Sequence, residues 1–275
     1  MAGSRGSHDG VEVDLQLHRA HSARMYDYYL GGTTNFAADR EAAGQALAVF
    51  PWAPVAARAN RAFMHRSIRF LAGTGIDQFL DIGTGIPTSP NLHEVAQQVN
   101  PQARVLYTDN DPIVFAHAQA LLRSNPAGRT VYLQADVHKP EAILESAELR
   151  EALDLARPVA LSLVALLHFI PDDRQAHAVV DRLKSALAPG STLVISHGTA
   201  DFAPAAAERV SQVYAAAGTP VRMRGREEVR SFLDGWELHD PGVVATHRWR
   251  PDPDGSGPEI TEAESSAYAA VAVKP

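Results

Sequence analysis

Three carboxylates carry the chemistry on offer in this sequence. Asp81, Asp109 and Asp136 each stand at the end of a short apolar run, and the first is followed, after Ile82, by Gly83-Thr84-Gly85. A carboxylate at the end of a buried strand needs a partner. Glycines at 83 and 85 let the backbone turn sharply and leave no side chain between the main chain and a ligand above it. Two glycines would serve any tight turn, but Asp81 beside them favours a binding loop. Asp109 lies 24 residues beyond Gly85, close to the spacing at which nucleotide-binding units set an acid on the ribose hydroxyls. Asp136 suits an exocyclic amine, so the pair points to an adenosine moiety.

The turn narrows the choice of adenosine ligand. A dinucleotide fingerprint has a third small residue and free amide donors for the pyrophosphate. Here that position is Thr88, preceded by Pro87, which brings no N–H. An uncharged-ribose, zwitterionic ligand such as S-adenosylmethionine makes no such demand, and Asp81 would favour its cationic groups while repelling phosphate. A nucleotide-dependent oxidoreductase is the less favoured enzyme class for the same reason.

The elements that must position these groups alternate. Strands are expected at 76–82, 105–108, 131–135, 159–167 and 192–196, with helices between them, including one over 141–155. Such alternation calls for a parallel sheet covered on both faces, with ligands beyond the carboxyl ends of its strands. Leu238 to Trp249 and Ala267 to Val273 read as two further strands, joined by a polar, acidic loop. Upstream, Ser22 is a plausible N-cap for a helix holding Tyr26, Tyr28 and Tyr29 and ending at Gly31-Gly32. Tyrosines so crowded cannot all face one core, which makes Tyr28, Tyr29 and nearby Asn35 candidates for a lid. A longer helix carries Arg58, Arg61, Arg66 and Arg69, read as a solvated face. The organisation expected is a disordered tail over 1–14, a helical cap over 15–73 and a ligand-binding domain over 74–275.

Composition sets limits. The 275 residues are 45% apolar, enough for a substantial core. With 25 Lys+Arg against 32 Asp+Glu the net charge is −7, which opposes nucleic acid as a partner. There is no cysteine, so thiolate chemistry and disulfides are excluded. No apolar run is long enough to span a membrane and no signal peptide opens the chain, so a cytoplasmic protein is expected. The DPD motif at 252–254 is read as a solvated loop, with no metal.

The D-x-G-x-G turn, the acid after the second strand and the QAD after the third resemble class I S-adenosylmethionine-dependent methyltransferases, and the two terminal strands fit that family's antiparallel hairpin. ARMYDYYLGGTTNFAADRE, NRAFMHRSIRFLA, QFLDIGTGIPTSPNLHEVAQ, VLYTDNDPIV and LLHFIPDD resemble a group of actinobacterial methyltransferases of unassigned substrate, formerly a domain of unknown function. The resemblance spans about Ala20 to Lys274. It implies a Rossmann-like, doubly wound, mostly parallel seven-stranded sheet with a terminal antiparallel hairpin and an N-terminal helical extension. It also implies that Asp81, Gly83 and Gly85 cradle the methionine portion, Asp109 the ribose, and Asp136 with Val137 the adenine. Methyl transfer needs in-line positioning and dryness, with a base only if the acceptor must lose a proton. His168 is the leading candidate for that base. His197 and His93 are further candidates beside the acceptor, and a histidine in any of these places is more often a hydrogen-bonded structural one. The expected partner is a small-molecule acceptor, a homodimer is compatible, and the rival reading is a non-catalytic cofactor sensor.

Overall fold

The computed structural model describes residues 6–8, 11–13, 15–121, 124–252 and 259–275. Within the expected tail, β1 (Gly6–His8) and β2 (Val11–Val13) pair as a small antiparallel hairpin. The rest of that tail lies outside the described residues. The continuous apolar runs form β3 (Gln78–Ile82), β4 (Arg104–Asp109), β5 (Arg129–Gln134), β6 (Ala160–Val164) and β7 (Thr192–Gly198), all parallel. β8 (Glu237–Leu238), β9 (Val244–Ala245) and β10 (Ala267–Val273) complete the sheet in the order β5-β4-β3-β6-β7-β10-β8, with β9 also on β10. The order reverses between β3 and β6, which is where an open parallel sheet holds ligands. Asp81 pairs in register with Tyr107 and Ser162, and Asp109 with Gln134, so both carboxylates reach the carboxyl edge.

The sheet has eight strands rather than seven because the expected strand over 238–249 is interrupted. Pro241 brings no N–H to a ladder, Gly242 adopts φ +80°, and Thr246–Arg248 is a 3₁₀ turn. Two other elements are shorter than the sequence suggests. The helix expected over 141–155 is two, α6 (Pro140–Leu144) and α7 (Ala147–Ala152). Ser146 starts the second by accepting from the Leu149 N–H at 3.0 Å. The strand expected to reach Leu167 stops at Val164. Ala165 turns out at φ +54°, and Leu167–Phe169 is a 3₁₀ turn, so His168 sits in a turn.

α1 (Ser22–Tyr29), α2 (Ala37–Val49) and α3 (Ala53–Gly73) precede the sheet. The cap of α1 is His21, one residue before the expected Ser22, and its side chain accepts from the Ala23 N–H. The later half of α3 and α4 (Leu92–Val99) cover one sheet face, where Phe63 meets Trp249 edge-on at 5.4 Å, both fully buried. Burying each such side chain contributes about 1.5–3 kcal/mol. α7, α8 (Asp173–Ser185) and α10 (Arg226–Ser231) cover the other face through Leu149, Val180, Leu183 and Val229. α5 (Pro112–Leu121) follows β4, and α9 (Pro204–Ala216) crosses to pack on α1 and α2 through Val213 and Tyr214. α11 (Glu262–Ser265) leads into β10.

The arginines of α3 are not one solvated face. Arg66 donates to the carbonyls of Trp249 and Thr246 at 2.9 and 2.7 Å, and Arg61 to those of Thr88 and Pro90, so two of the four tie loops to the helix. Arg69 pairs at the surface with Asp252 at 3.0 Å. The rest of the DPD motif, and the loop around it over 253–258, lie outside the described residues. Among the described residues no helix is long and apolar enough to cross a membrane.

The Gly31-Gly32 break has two separate causes. Gly31 adopts φ +80°, whereas a Cβ on Gly32 would stand 2.0 Å from Asp27 Oδ1. Asp27 is buried and accepts from Asn35 Nδ2 at 2.8 Å, so it cannot simply swing aside. Gly32→Ala is expected to cost about 1–3 kcal/mol in urea unfolding, the usual scale for overpacking. A wild-type midpoint would show that the turn relaxes freely.

Candidate functional site

At the carboxyl edge of β3 the chain crosses directly over β4. The Gly83 and Thr84 N–H groups donate to the Thr108 carbonyl at 2.8 and 3.2 Å, and Gly83 and Gly85 adopt φ +76° and +70°. A Cβ at 83 would meet Leu166 Cδ1 at 2.6 Å, while at 85 it would enter open space. Gly83 is therefore fixed by packing as well as conformation, and Gly85 by conformation alone. Asp109 Oδ2 accepts from the Gly85 N–H at 2.8 Å and Oδ1 from the Asp111 N–H at 2.9 Å. One donor on each oxygen leaves each a lone pair for a further hydroxyl. Burial raises the Asp109 pKa above the usual carboxylate value, against the pull of these two amides.

Asp81 lies alongside, also buried, and burial pushes it up to about 6, with the Asp109 charge adding to the shift. Asp136 is half-exposed. Burial raises its pKa, but the His138 amide at 3.0 Å and imidazole at 2.7 Å more than offset that and hold it below the usual value. His138 occupies Oδ1, leaving Oδ2 for an amine. Asp81, Gly83, Gly85, Asp109, Asp136 and Val137 all line one cavity of about 540 Å³. The residues fit an adenosine ligand bearing positive charge: one carboxylate has two lone pairs to offer, one has a free oxygen, and a third stands at an open glycine turn. Among the described residues no group of histidines and acids could hold a metal.

An N-terminal strap roofs the carboxylates. Leu15, Leu17, Ala23 and Phe36 pack on Ile86, Ile113 and Val114 around the glycine loop, and His21 and Arg24 line the cavity. Arg24 Nε donates to Asp111 Oδ2 at 2.9 Å, and His21 Nδ1 lies 3.1 Å from the same oxygen. The strap is thus held two residues from Asp109.

Past the glycine loop the same cavity continues as a largely apolar chamber lined by α2, α3, α9 and the turn after β6. Several of its polar groups satisfy one another. Tyr26 Oη donates to the Ala57 carbonyl and accepts from Asn60 Nδ2, both at 2.9 Å, and Asn60 Oδ1 accepts from Ser196 Oγ at 2.5 Å. Tyr29 and Tyr214 share a hydrogen bond of 3.2 Å between α1 and α9.

The expected acceptor-side residues divide. Tyr29, His168 and His197 line the cavity, whereas Tyr28, Asn35 and His93 do not. Asn35 ties Asp27 to the Gly32 carbonyl, and His93 is buried on α4 against the Tyr107 hydroxyl, 3.0 Å from Nδ1. His197 has both nitrogens engaged: Nε2 accepts from the buried Arg224 at 3.0 Å and Nδ1 donates to the Gly198 carbonyl at 2.7 Å. Arg224 also donates to the Leu167 and Ile170 carbonyls and to Asp173, which pins the turn carrying His168. His168 Nδ1 faces the Gly198 N–H at 3.5 Å, a long contact that favours the tautomer with its hydrogen on Nε2. Burial and the Arg224 charge lower its pKa to about 4, so the ring is neutral.

Tyr26, Asn60, His138 and Tyr214, which line the cavity, and Arg224, which backs His197, are residues that the sequence reading missed. Only Tyr26 had a legible signal, its three-residue spacing from Tyr29 on one helix face.

The profile of a family described as S-adenosyl methyltransferase matches residues 9–275. A DUF574 family protein from Streptomyces avermitilis is 49% identical, with 95% of this chain and 100% of that chain covered and a TM-score of 0.91. A candidate methyltransferase from Thermobifida fusca is 39% identical, with 94% and 97% covered and a TM-score of 0.86. No functionally curated protein matches the sequence.

Proposed function

The chain belongs to the S-adenosyl methyltransferase family, and from that premise we propose that it transfers a methyl group from S-adenosylmethionine to a small molecule bound in the apolar chamber. The observation that carries this reading is the continuity of the cavity from the glycine loop into a chamber that no side chain among the described residues fills. A sensor that only bound the cofactor would need no such space.

S-adenosylmethionine supplies, when bound, a methyl group on a sulfonium leaving group. The residues of the chain bind and orient. Asp109 would take the ribose hydroxyls on its two remaining lone pairs, Asp136 Oδ2 the adenine amine, and Val137 the adenine face. Asp81 would face the cationic methionine end across the open Gly85 turn. The strap from Leu15 to Arg24 and the Tyr29–Tyr214 pair would exclude water and limit the chamber to a small acceptor, which is where the rate gain of a positioned displacement arises.

Calorimetric titration with S-adenosylmethionine, S-adenosylhomocysteine and NAD tests the cofactor half of this reading. Binding of the two sulfur ligands without NAD is expected, and NAD binding in their place would overturn it. The same titration carries a pH signature. Asp81 is protonated below about pH 6 and ionised above, and a ligand with fixed positive charge prefers the ionised form. Affinity for S-adenosylmethionine should therefore fall about tenfold from pH 7 to pH 5, a unit of pKa being a factor of ten. Asp81→Asn should flatten the profile. A flat wild-type profile would mean that Asp81 does not face the cation.

A further inference from the structure

The walls of the chamber say what kind of acceptor fits. Phe50, Met64, Phe169, Val210 and Met223, with alanines from α2, α3 and α9, give it apolar faces suited to a flat ring. The carboxylates lining the cavity, Asp81, Asp109 and Asp136, all stand on the cofactor side. A cationic acceptor would find no counter-charge in the chamber.

The chamber's polar atoms are almost all committed. Tyr26, Asn60, Ser196 and His197 are engaged with protein partners as described. The hydrogens left over include the one on His168 Nε2, the one hydroxyl hydrogen of the Tyr29–Tyr214 pair not used between them, and that of Thr199, whose oxygen accepts from the Asp201 N–H. Among the described residues no carboxylate lines that half and its imidazole acceptors are taken, so what remains to accept there is neutral hydroxyl and amide oxygen. His168 Nε2–H donates and cannot accept, so it recognises an oxygen lone pair and offers an amine's hydrogens no partner, a loss that buried sites penalise. The buried Arg224 lies behind His197 and acts electrostatically on His168, adding positive potential at the same end.

We propose that the acceptor is a planar aromatic hydroxyl compound, bound as its phenolate with the oxygen on His168 Nε2–H and methylated at that oxygen. This rests on the reading of the chamber as the acceptor side of the methyltransferase. The hydroxyl proton passes to water before the phenolate enters. An oxygen lone pair then forms the C–O bond while the C–S bond breaks, its electron pair staying on sulfur. An anion and a sulfonium become a neutral ether and a neutral thioether, so no proton moves inside the chamber and no base is required. His168, neutral because it is buried, serves as a fixed donor of the kind that stabilises oxyanions. Phenols acidic enough to ionise near neutral pH are the substrates this arrangement selects.

The test uses the full chain saturated with S-adenosylhomocysteine, which carries no transferable methyl group. 4-Nitrophenol and 7-hydroxycoumarin are titrated in at the pH where each is half ionised in free solution, and the bound phenolate is read by absorbance or fluorescence. The expected result is about tenfold enrichment of phenolate in the bound probe, an apparent pKa lowered by about one unit. His168→Leu should lose the enrichment with S-adenosylhomocysteine binding intact, which also reports that it folds. His168→Gln, which keeps an N–H donor, should retain part of it. With S-adenosylmethionine in place, 4-nitrophenol should lose its colour as the methyl ether forms. The proposal is overturned if the probes bind as neutral phenols, if 4-nitroaniline binds in preference, or if neither phenol binds while S-adenosylhomocysteine does. Failure of S-adenosylhomocysteine itself to bind would sink the cofactor reading, and this inference with it.

Discussion

Arg24→Met is expected to lower unfolding free energy by about 3–5 kcal/mol, the scale seen when one partner of a buried ion pair is removed. Arg24 is 2% exposed and lies between two fully buried carboxylates, 2.9 Å from Asp111 Oδ2 and 3.7 Å from Asp39 Oδ2. Methionine fills similar space but leaves both acids inside without a cation. Backbone amides already donate to them: Ile113 to Asp111, and His21 and Phe36 to Asp39, at 2.8–2.9 Å. Those bonds support a charge without neutralising it. The damage should be local to function as well, since Asp111 and Asp39 tether the start of α1 and the Phe36 turn to the end of β4. Urea unfolding measures the loss, and the triple variant R24M/D39N/D111N should recover part of it. A loss below about 1 kcal/mol would mean that water reaches these carboxylates and the strap is held by its apolar contacts alone.

What the sequence revealed followed from local pattern. The runs ending in Asp81 and Asp109 became β3 and β4 because continuous apolar stretches of that length, stopped by turn residues, have no other stable place than a sheet covered on both sides. Glycine at 83 and 85 was legible because both positions need φ values that other residues avoid. Where local pattern misled, tertiary context decided. Leu167 is as apolar as Leu163, yet the strand ends at Val164, because the chain must turn there for Leu166 to pack on Gly83 and for Arg224, more than 50 residues on, to hold the carbonyls of the turn.

The site divides in the same way. The cofactor carboxylates each sit at a strand end, so their neighbours in sequence announce them. The chamber is assembled from α1, α2, α3 and α9, elements that share no motif. Tyr214 finds Tyr29 across 185 residues, and Ser196 finds Asn60 across 136. His93 is the converse case: proximity to the glycine turn in sequence suggested the site, but α4 directs it onto Tyr107 beneath the sheet edge. A helix following a turn presents only part of its circumference to the ligand, and sequence distance does not say which part.

Asp109→Ala should weaken S-adenosylmethionine binding by about 1.5–3 kcal/mol, the range for hydrogen bonds to a charged group. In affinity that is roughly 10- to 150-fold. The structure suggests the upper end. The carboxylate does more than offer two lone pairs to the ribose, because it also accepts the Gly85 and Asp111 N–H groups and so joins the glycine turn to the start of α5. Alanine leaves both amides without that acceptor and frees a turn that must stay in the left-handed region at Gly85. Asp109→Asn separates the two contributions. It can keep one accepting oxygen but places an NH₂ where the other amide donates, so it should fall between wild type and alanine in affinity. It also removes the nearby charge that raises Asp81. In this variant the pH dependence of binding should shift downward, since Asp81 would ionise at lower pH. An affinity loss without that shift would assign Asp109 to the ribose alone. The shift without a loss would place the ribose elsewhere and leave Asp109 as the electrostatic partner of Asp81.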